Sequence, residues 1–453
     1  MGFETSYLAQ NTLFSYLISP ISNQKRMLRT YNYNTLSKDE ISKLISRNVD
    51  SSNEISSAVE AIIEKVKTEG DKALLAYSAQ FDRVTLSRLV IEFDEIEQLA
   101  NEVDEVEQKA LEKAFYNIHK FHLSQLKTEE KVETTTGVNC WRELRPIEKV
   151  GLYVPGGSAV LPSTFLMLGI PAKIAGCKEI IVCSPPQKNG SVNIYLAYCA
   201  LLLGIKRIYL IGGAQAIAAM AYGTETITKV DKIFGPGNQY VTKAKTIVQN
   251  KTNTAIDMPA GPSEVLVIAD ETANPAYVAA DLLAQAEHGA DSQAVLVSTS
   301  ADLIEKVNLE IENQLRELPR KEIAALAIAN SYAVLTSDLQ SAMNFSNQYA
   351  PEHLIIETDN YEQLIPEIIN AGSVFLGHLT PESAGDYASG TNHTLPTSGY
   401  ARSYSGVSID SFVKKITFQH ISKAGIKNLG PTVEILAELE GLQAHANAVR
   451  VRG

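Results

Sequence analysis

From about Asp50 to Gln125 the apolar residues recur at spacings of three and four, in stretches such as SSAVEAIIEKVKTEGDKALLAYSAQFD and EVEQKALEKAFYNIHKFHLSQL. That period predicts amphipathic helices, each with one face on a core. His119 and His122 fall in the second stretch with Lys120 between them, and the pair reads as a half-exposed helix face. After Lys149 the texture changes to short apolar runs, VGLYVPGG, EIIVCSPP, RIYLIGG and KVDKIFGPG, each ending in Gly or Pro and each followed by a helical run. A second set of such runs comes later in the chain, namely SEVLVIAD, AVLVSTS, YAVLTSD, HLIIET and SVFLG. Strands without alternation, separated by helices, predict parallel sheets with crossover helices. The expected fold class is therefore α/β, with two doubly wound halves. From about residue 379 the periodicity fades into LTPESAGDYASGTNHTLPTSGYARSYSG before two closing helical stretches. A loop of that length inside a domain suggests a function.

Bulk properties narrow the picture. A chain of 453 residues is long enough for two or three domains at about 150 residues each. No apolar run reaches the length of about 18 residues that a membrane span needs, so no membrane partner is expected. The formal net charge is −12 and the pI is near 5.3, without clusters of Lys and Arg, which disfavours nucleic acid and favours small substrates. Cys140, Cys177, Cys183 and Cys199 form neither a C-x-x-C pair nor a zinc-finger spacing and read as inert thiols of a reducing compartment. The N-terminus has no cationic segment ahead of its modest apolar stretch and makes a poor secretory signal. The cytoplasm is expected, with an organelle transit segment as the alternative.

Candidate chemistry begins with LLAQAEHGADSQ, residues 282–293, where Gln285 and His288 lie one turn apart and share a helix face. They suit a metal; His288 also suits an ordinary C-terminal cap followed by Gly289. GGAQAIAAMAYG and GPGNQY each follow a strand and open a helix, but neither completes G-x-G-x-x-G. Their glycines fit a phosphate on a helix N-terminus and fit tight packing equally well. Six of the eight histidines, His288, His353, His378, His393, His420 and His445, fall in the last two fifths of the chain. Acids accompany them at Glu352, Asp386 and Glu440, and such N and O donors can complete a zinc site without cysteine. In PEHL, Glu352 and His353 place a carboxylate and an imidazole side by side, a natural pair for activating water and moving protons; a plain helix-to-strand connection is the alternative.

Nine stretches carry a resemblance: GLYVPGGSAVLPST, GGAQAIAAMAYGTE, FGPGNQYV, DMPAGPSEVLVIAD, LLAQAEHGADSQ, NQYAPEHL, AGSVFLG, PESAGDYASGTNHTLPT and GLQAHANAV. In this order, and from about residue 40 onward, the chain resembles the histidinol dehydrogenases. The resemblance implies oxidation of L-histidinol to L-histidine through the aldehyde, with two NAD+ reduced in succession. It also implies a zinc-containing homodimer with incomplete Rossmann-like halves. Carried over by motif, Gln285, His288, Asp386 and His445 are the implied zinc ligands, and Glu352 and His353 the catalytic pair. Tyr153, Gln215 and Asn238 are the implied NAD contacts. Ser263 and Glu440 join the ligands and His353 as implied substrate contacts, with His393 a further pocket candidate.

The expected organisation is an N-terminal extension over residues 1–40 and a helical part of the first α/β domain over 41–149. An NAD-binding Rossmann-like domain follows over 150–262, then the rest of the first domain with the zinc and substrate site over 263–405. A C-terminal helical tail over 406–453 is expected to reach the partner subunit, so that active sites are shared. Two rival readings are another zinc-dependent alcohol dehydrogenase on the same scaffold and a nucleotide-binding protein that has lost its chemistry.

Overall fold

The aliphatic runs that follow Lys149 form strands whose side chains are buried on both faces, which is what pairs them in parallel under helices. One six-stranded sheet has the order β2 (Val90–Glu92), β7 (Arg207–Leu210), β6 (Glu179–Ser184), β5 (Lys149–Tyr153), β8 (Lys232–Phe234), β9 (Ala255–Ile256). It is parallel except for β2, its antiparallel edge. The other six-stranded sheet, all parallel, has the order β1 (Arg29–Asn32), β12 (Tyr332–Leu335), β11 (Gln293–Ser298), β10 (Glu264–Ala269), β13 (His353–Glu357), β14 (Ser373–Leu376). The computed structural model describes residues 27–47, 53–127, 129–156, 160–259 and 261–453.

In each sheet the chain winds one way and then returns to the other side, so the order reverses between β5 and β8 and again between β10 and β13. Such reversals leave crevices at which ligands bind. The two doubly wound α/β halves expected from the sequence are present.

The grouping of segments differs from the expected one. The helices Asn53–Glu69, Phe93–Ala100 and Glu105–Leu123 pack mainly on helices of the first sheet, with β2 on its edge, and the last of them also touches residues 388–392. Their amphipathic pattern specifies a buried face but not which sheet receives it. Arg29–Asn32, inside the stretch set apart as an extension, pairs in parallel with β12 behind a fully buried Leu28. The rest of that stretch, residues 1–26, lies outside the described residues.

A third, antiparallel sheet in the order β15 (Val413–Ile421), β4 (Val138–Pro146), β3 (Val132–Thr135) was not expected. It places a nine-residue strand inside the tail read as helical, ahead of the helices Lys423–Leu439 and Gln443–Arg450. His122, read as half-exposed, is fully buried: its Nδ1 meets the Ile118 carbonyl at 2.9 Å and its Nε2 lies 3.4 Å from the Asn392 amide nitrogen. The four cysteines are free thiols, three of them buried, as expected. Among the described residues no helix is long and apolar enough to cross a membrane.

Candidate active site

The first sheet gathers its candidate residues at the carboxyl ends of its strands. Tyr153 ends β5, and its buried hydroxyl accepts a hydrogen bond from the Gly213 N–H at 3.1 Å. Burial pushes that phenol up to about 12. Gln215, 2% exposed, lies in the first turn of the helix Gly213–Tyr222. Asn238 follows β8 and caps the helix Gln239–Lys251, its Oδ1 accepting from the N–H groups of Tyr240 and Val241. Gly235 in the GPG turn has φ of 127°, and a Cβ there would fall on the Tyr153 carbonyl oxygen. Close approach of β8 to β5 therefore accounts for that glycine.

The second sheet is arranged the other way. β10 and β13 begin at Glu264 and His353, so Ser263, Glu352 and His353 stand at the amino ends of their strands. The helix Pro275–Ala286 leaves the carboxyl end of β10 and runs back, which returns Gln285 and His288 to the same amino-terminal edge. The candidate residues of the second sheet thus collect at the amino ends of its strands, where the C-terminus of the returning helix meets them.

The helix Glu382–Tyr387 packs against the helix carrying Gln285, and its spacing of four places Glu382 and Asp386 on one face. His288, Glu382 and Asp386 each offer one ligand atom within 4.8 Å of the others, a group suited to a metal ion. Gln285 is fully buried, and neither its Oε1 nor its Nε2 has a hydrogen-bond partner. A buried amide left so costs roughly 1–3 kcal/mol, which a ligand to its oxygen would offset. Asp386 Oδ1 is likewise buried without a hydrogen bond. These N and O donors fit zinc.

His353 is 4% exposed and stands among carboxylates: Glu352 Oε2 at 3.6 Å and Glu382 Oε1 at 3.7 Å from Nδ1, and Asp386 Oδ1 at 3.4 Å from Nε2. Burial alone would lower the imidazole pKa, but Glu382, Glu352 and Asp386 together hold it well above the ordinary value. Its Nδ1 lies 3.1 Å from the Glu264 carbonyl oxygen, so Nδ1–H donates there and Nε2 is left for other work. Glu352 Oε2 accepts from the Glu264 N–H at 2.8 Å. Burial pushes Glu352 and Glu382 up to about 8, with His353 opposing the rise in both.

His393 bridges the two halves: its Nδ1 meets the Asp386 carbonyl and its Nε2 the Thr164 hydroxyl, both at 2.9 Å. Burial lowers its pKa. Glu382 and Asp281 were not singled out from the sequence. Glu382 stands one turn before Asp386 and Asp281 one turn before Gln285, so the helical spacing of four was the signal available. Burial pushes Asp281 up to about 7.

Glu440 and His445 are not brought to this cluster. Both are exposed; the helices Lys423–Leu439 and Gln443–Arg450 pack on one another, and the first of them on β3, β4 and β15. Of the residues considered for metal, one chain assembles Gln285, His288 and Asp386 at the edge where His353 lies, and adds Glu382.

Comparison with known proteins places the chain in a family. The family model described as histidinol dehydrogenase matches residues 45–453. A histidinol dehydrogenase of Bacteroides thetaiotaomicron is 56% identical over 416 residues, covering 92% of this chain and 97% of the relative. A chloroplastic histidinol dehydrogenase of Arabidopsis thaliana is 52% identical over 428 residues, covering 94% and 91%. The crystal structure of histidinol dehydrogenase from Elizabethkingia anophelis superposes with a TM-score of 0.91 at 54% identity, covering 95% of this chain and 99% of that one. With matches of this extent along nearly its whole length, the chain belongs to the histidinol dehydrogenase family.

Proposed function

We propose that this chain oxidises L-histidinol to L-histidine by way of the aldehyde, reducing two NAD+ in turn, as a zinc-containing homodimer. The observation that carries the reading is His353, enclosed by Glu352, Glu382 and Asp386 beside the unpartnered amide of Gln285. When bound, zinc on Gln285, His288, Asp386 and a second copy's His445 would anchor the substrate's nitrogens, and NAD would supply the hydride acceptor.

The protein's own groups account for the proton traffic. Removing hydride from the alcohol carbon requires loss of the hydroxyl proton; with Nδ1–H committed to the Glu264 carbonyl, Nε2 of His353 is the atom to take it, and only in the neutral imidazole, so the carboxylates that raise its pKa set the alcohol step's base limb above the usual histidine range. The second oxidation consumes one water. Glu352 Oε2 is held by the Glu264 N–H, which leaves Oε1 to take a proton from that water as it adds to the aldehyde carbon. Ser263, just before β10, and His393, held between Asp386 and Thr164, are the proposed lining of the substrate pocket. Tyr153 and Gln215, at the reversal between β5 and β8, and Asn238, beyond β8, are the proposed NAD contacts.

The homodimer is supported by the C-terminal arm, whose Ile435, Leu436, Leu439, Leu442 and Val451 are 43–78% exposed. An apolar face of this kind asks for a cover, and a second copy seated there would bring Glu440 and His445 to a neighbour's site. The free thiols suit a reducing compartment, and we place the enzyme in the cytoplasm. The deciding experiment is NADH formation from L-histidinol by the zinc-loaded protein, with and without a chelator. Activity that chelation abolishes and zinc restores is expected; no NADH from the zinc-loaded protein would overturn the proposal.

A further inference from the structure

Arg47 belongs to none of the stretches that pointed to chemistry, yet four of its five hydrogen bonds tie it to Glu264 and to the turn before the catalytic pair. Its Nε and Nη2 hold the Glu264 carboxylate in a two-toothed grip at 2.7 and 2.9 Å. Nη1 donates to the carbonyls of Ile45 at 3.2 Å and Tyr349 at 2.7 Å, and Nη2 also to that of Ala350 at 3.4 Å. All five N–H groups of a guanidinium are thereby used. The same group lies 3.9 Å over the Tyr349 ring.

The two ends of this contact converge on Glu352 and His353. On one side, Glu264 gives its backbone N–H to Glu352 and its carbonyl to His353 Nδ1, so its main chain aligns both members of the pair. On the other, Tyr349 and Ala350 lead directly into Pro351, Glu352 and His353, and Ala350 is left-handed, with φ of 55°. A non-glycine residue holds that conformation only when its surroundings impose it. The Arg47 and Glu264 side chains are 10% and 2% exposed, so water competes little for either.

We infer that Arg47 and Glu264 are positioning residues: the guanidinium locks the start of β10 to the 349–350 turn and so fixes Glu352 and His353 relative to each other. The inference rests on the reading of those two residues as the catalytic pair. Lysine keeps the charge but offers a point donor in place of the planar fork, so it cannot span both segments. Displacements on the order of 1 Å at reacting groups cost up to about 100-fold in rate.

The test is the double-mutant set Arg47→Lys, His353→Asn and the two combined, in the zinc-loaded enzyme, with rates per NAD-binding site and melting temperature measured separately. Arg47→Lys is expected to lower kcat of histidinol oxidation roughly tenfold or more, with KM and NAD affinity changed less than about threefold. In the His353→Asn background the same substitution is expected to cost the alcohol step almost nothing, because of the two groups it aligns the one that acts in that step is gone. Equal factors in both backgrounds, or a lower melting temperature at unchanged kcat, would show a structural role only and overturn the inference. Wild-type turnover by His353→Asn would remove the catalytic reading and the inference with it. Glu264→Gln, which keeps shape and backbone but loses the ion pair, serves if Arg47→Lys does not fold. It should lower kcat in the same sense, and unchanged kcat there would likewise overturn the inference.

Discussion

Glu357 closes the strand that His353 opens, and the two side chains share one face of β13. It is 1% exposed, neither carboxylate oxygen has a hydrogen-bond partner, and burial, followed by repulsion from Asp281, pushes its pKa from 4.5 up to about 8. A carboxyl with a folded pKa above its unfolded one gives its full stability below the unfolded value and loses it as pH rises toward the folded one. The window here is therefore about pH 4.5 to 8. At pH 7 the unfolded chain has ionised this group and the folded chain must reprotonate it, across about 2.5 pH units at 1.36 kcal/mol each, or about 3 kcal/mol. Glu357→Gln keeps the shape and removes the ionisation. It should match wild type near pH 4, exceed it by about 3 kcal/mol at pH 7 and by about 4 kcal/mol at pH 8. Urea unfolding followed by circular dichroism over this range checks it, at one protein concentration, since an oligomer's stability depends on concentration. Parallel curves for the two proteins, or a less stable variant at pH 8, would refute the reasoning, because they would mean that Glu357 is charged and satisfied in the fold.

Three further outcomes follow from the site. His353→Asn should slow the alcohol step by about 100-fold or more while sparing NAD and zinc binding, and Glu352→Gln should fall harder on aldehyde oxidation, where water is consumed; equal losses in both half-reactions would contradict that division. Chelation should abolish activity without loss of helix signal, because Gln285, His288 and Asp386 come from elements already packed on a cored sheet; helix loss in step with activity would make the metal structural. His288→Ala and His445→Ala, each inactive alone, should regain about a quarter of wild-type sites when denatured and refolded as an equal mixture, since half the dimers are mixed and one of their two sites is intact. Efficient mixing without recovery would place His445 in its own chain's site.

The strands of the three sheets divide unevenly between what was legible in sequence and what was not. Strands such as EVLVIA, buried end to end, and QAVLVS, buried but for its first residue, announce themselves through composition alone, since only a doubly covered parallel strand tolerates such a run. β4, by contrast, reads VNCWRELRP and is mostly half-buried, with charges on both faces. Its partner β15 lies about 270 residues away, and no local pattern encodes that pairing.

The same boundary runs through the site. Gln285 with His288, Glu352 with His353, and Asp386 each sit in a short stretch whose helical or extended spacing makes them candidate donors, and that much the sequence by itself determined; the roles proposed for them come from the family resemblance. Tertiary structure alone decided which of them meet. It brought β13 beside β10, so that one backbone unit at Glu264 aligns both Glu352 and His353, and it returned a helix C-terminus to the amino edge of the sheet. It also brought Arg47 across more than two hundred residues to Glu264, and it kept Glu440 and His445 apart from the cluster, on the two closing helices of their own chain. Periodicity reports which face of an element is buried, because burial acts on each side chain where it stands. It carries no record of the neighbour that does the burying, because that depends on the closure of loops whose entropic cost rises only slowly with length and so selects no partner.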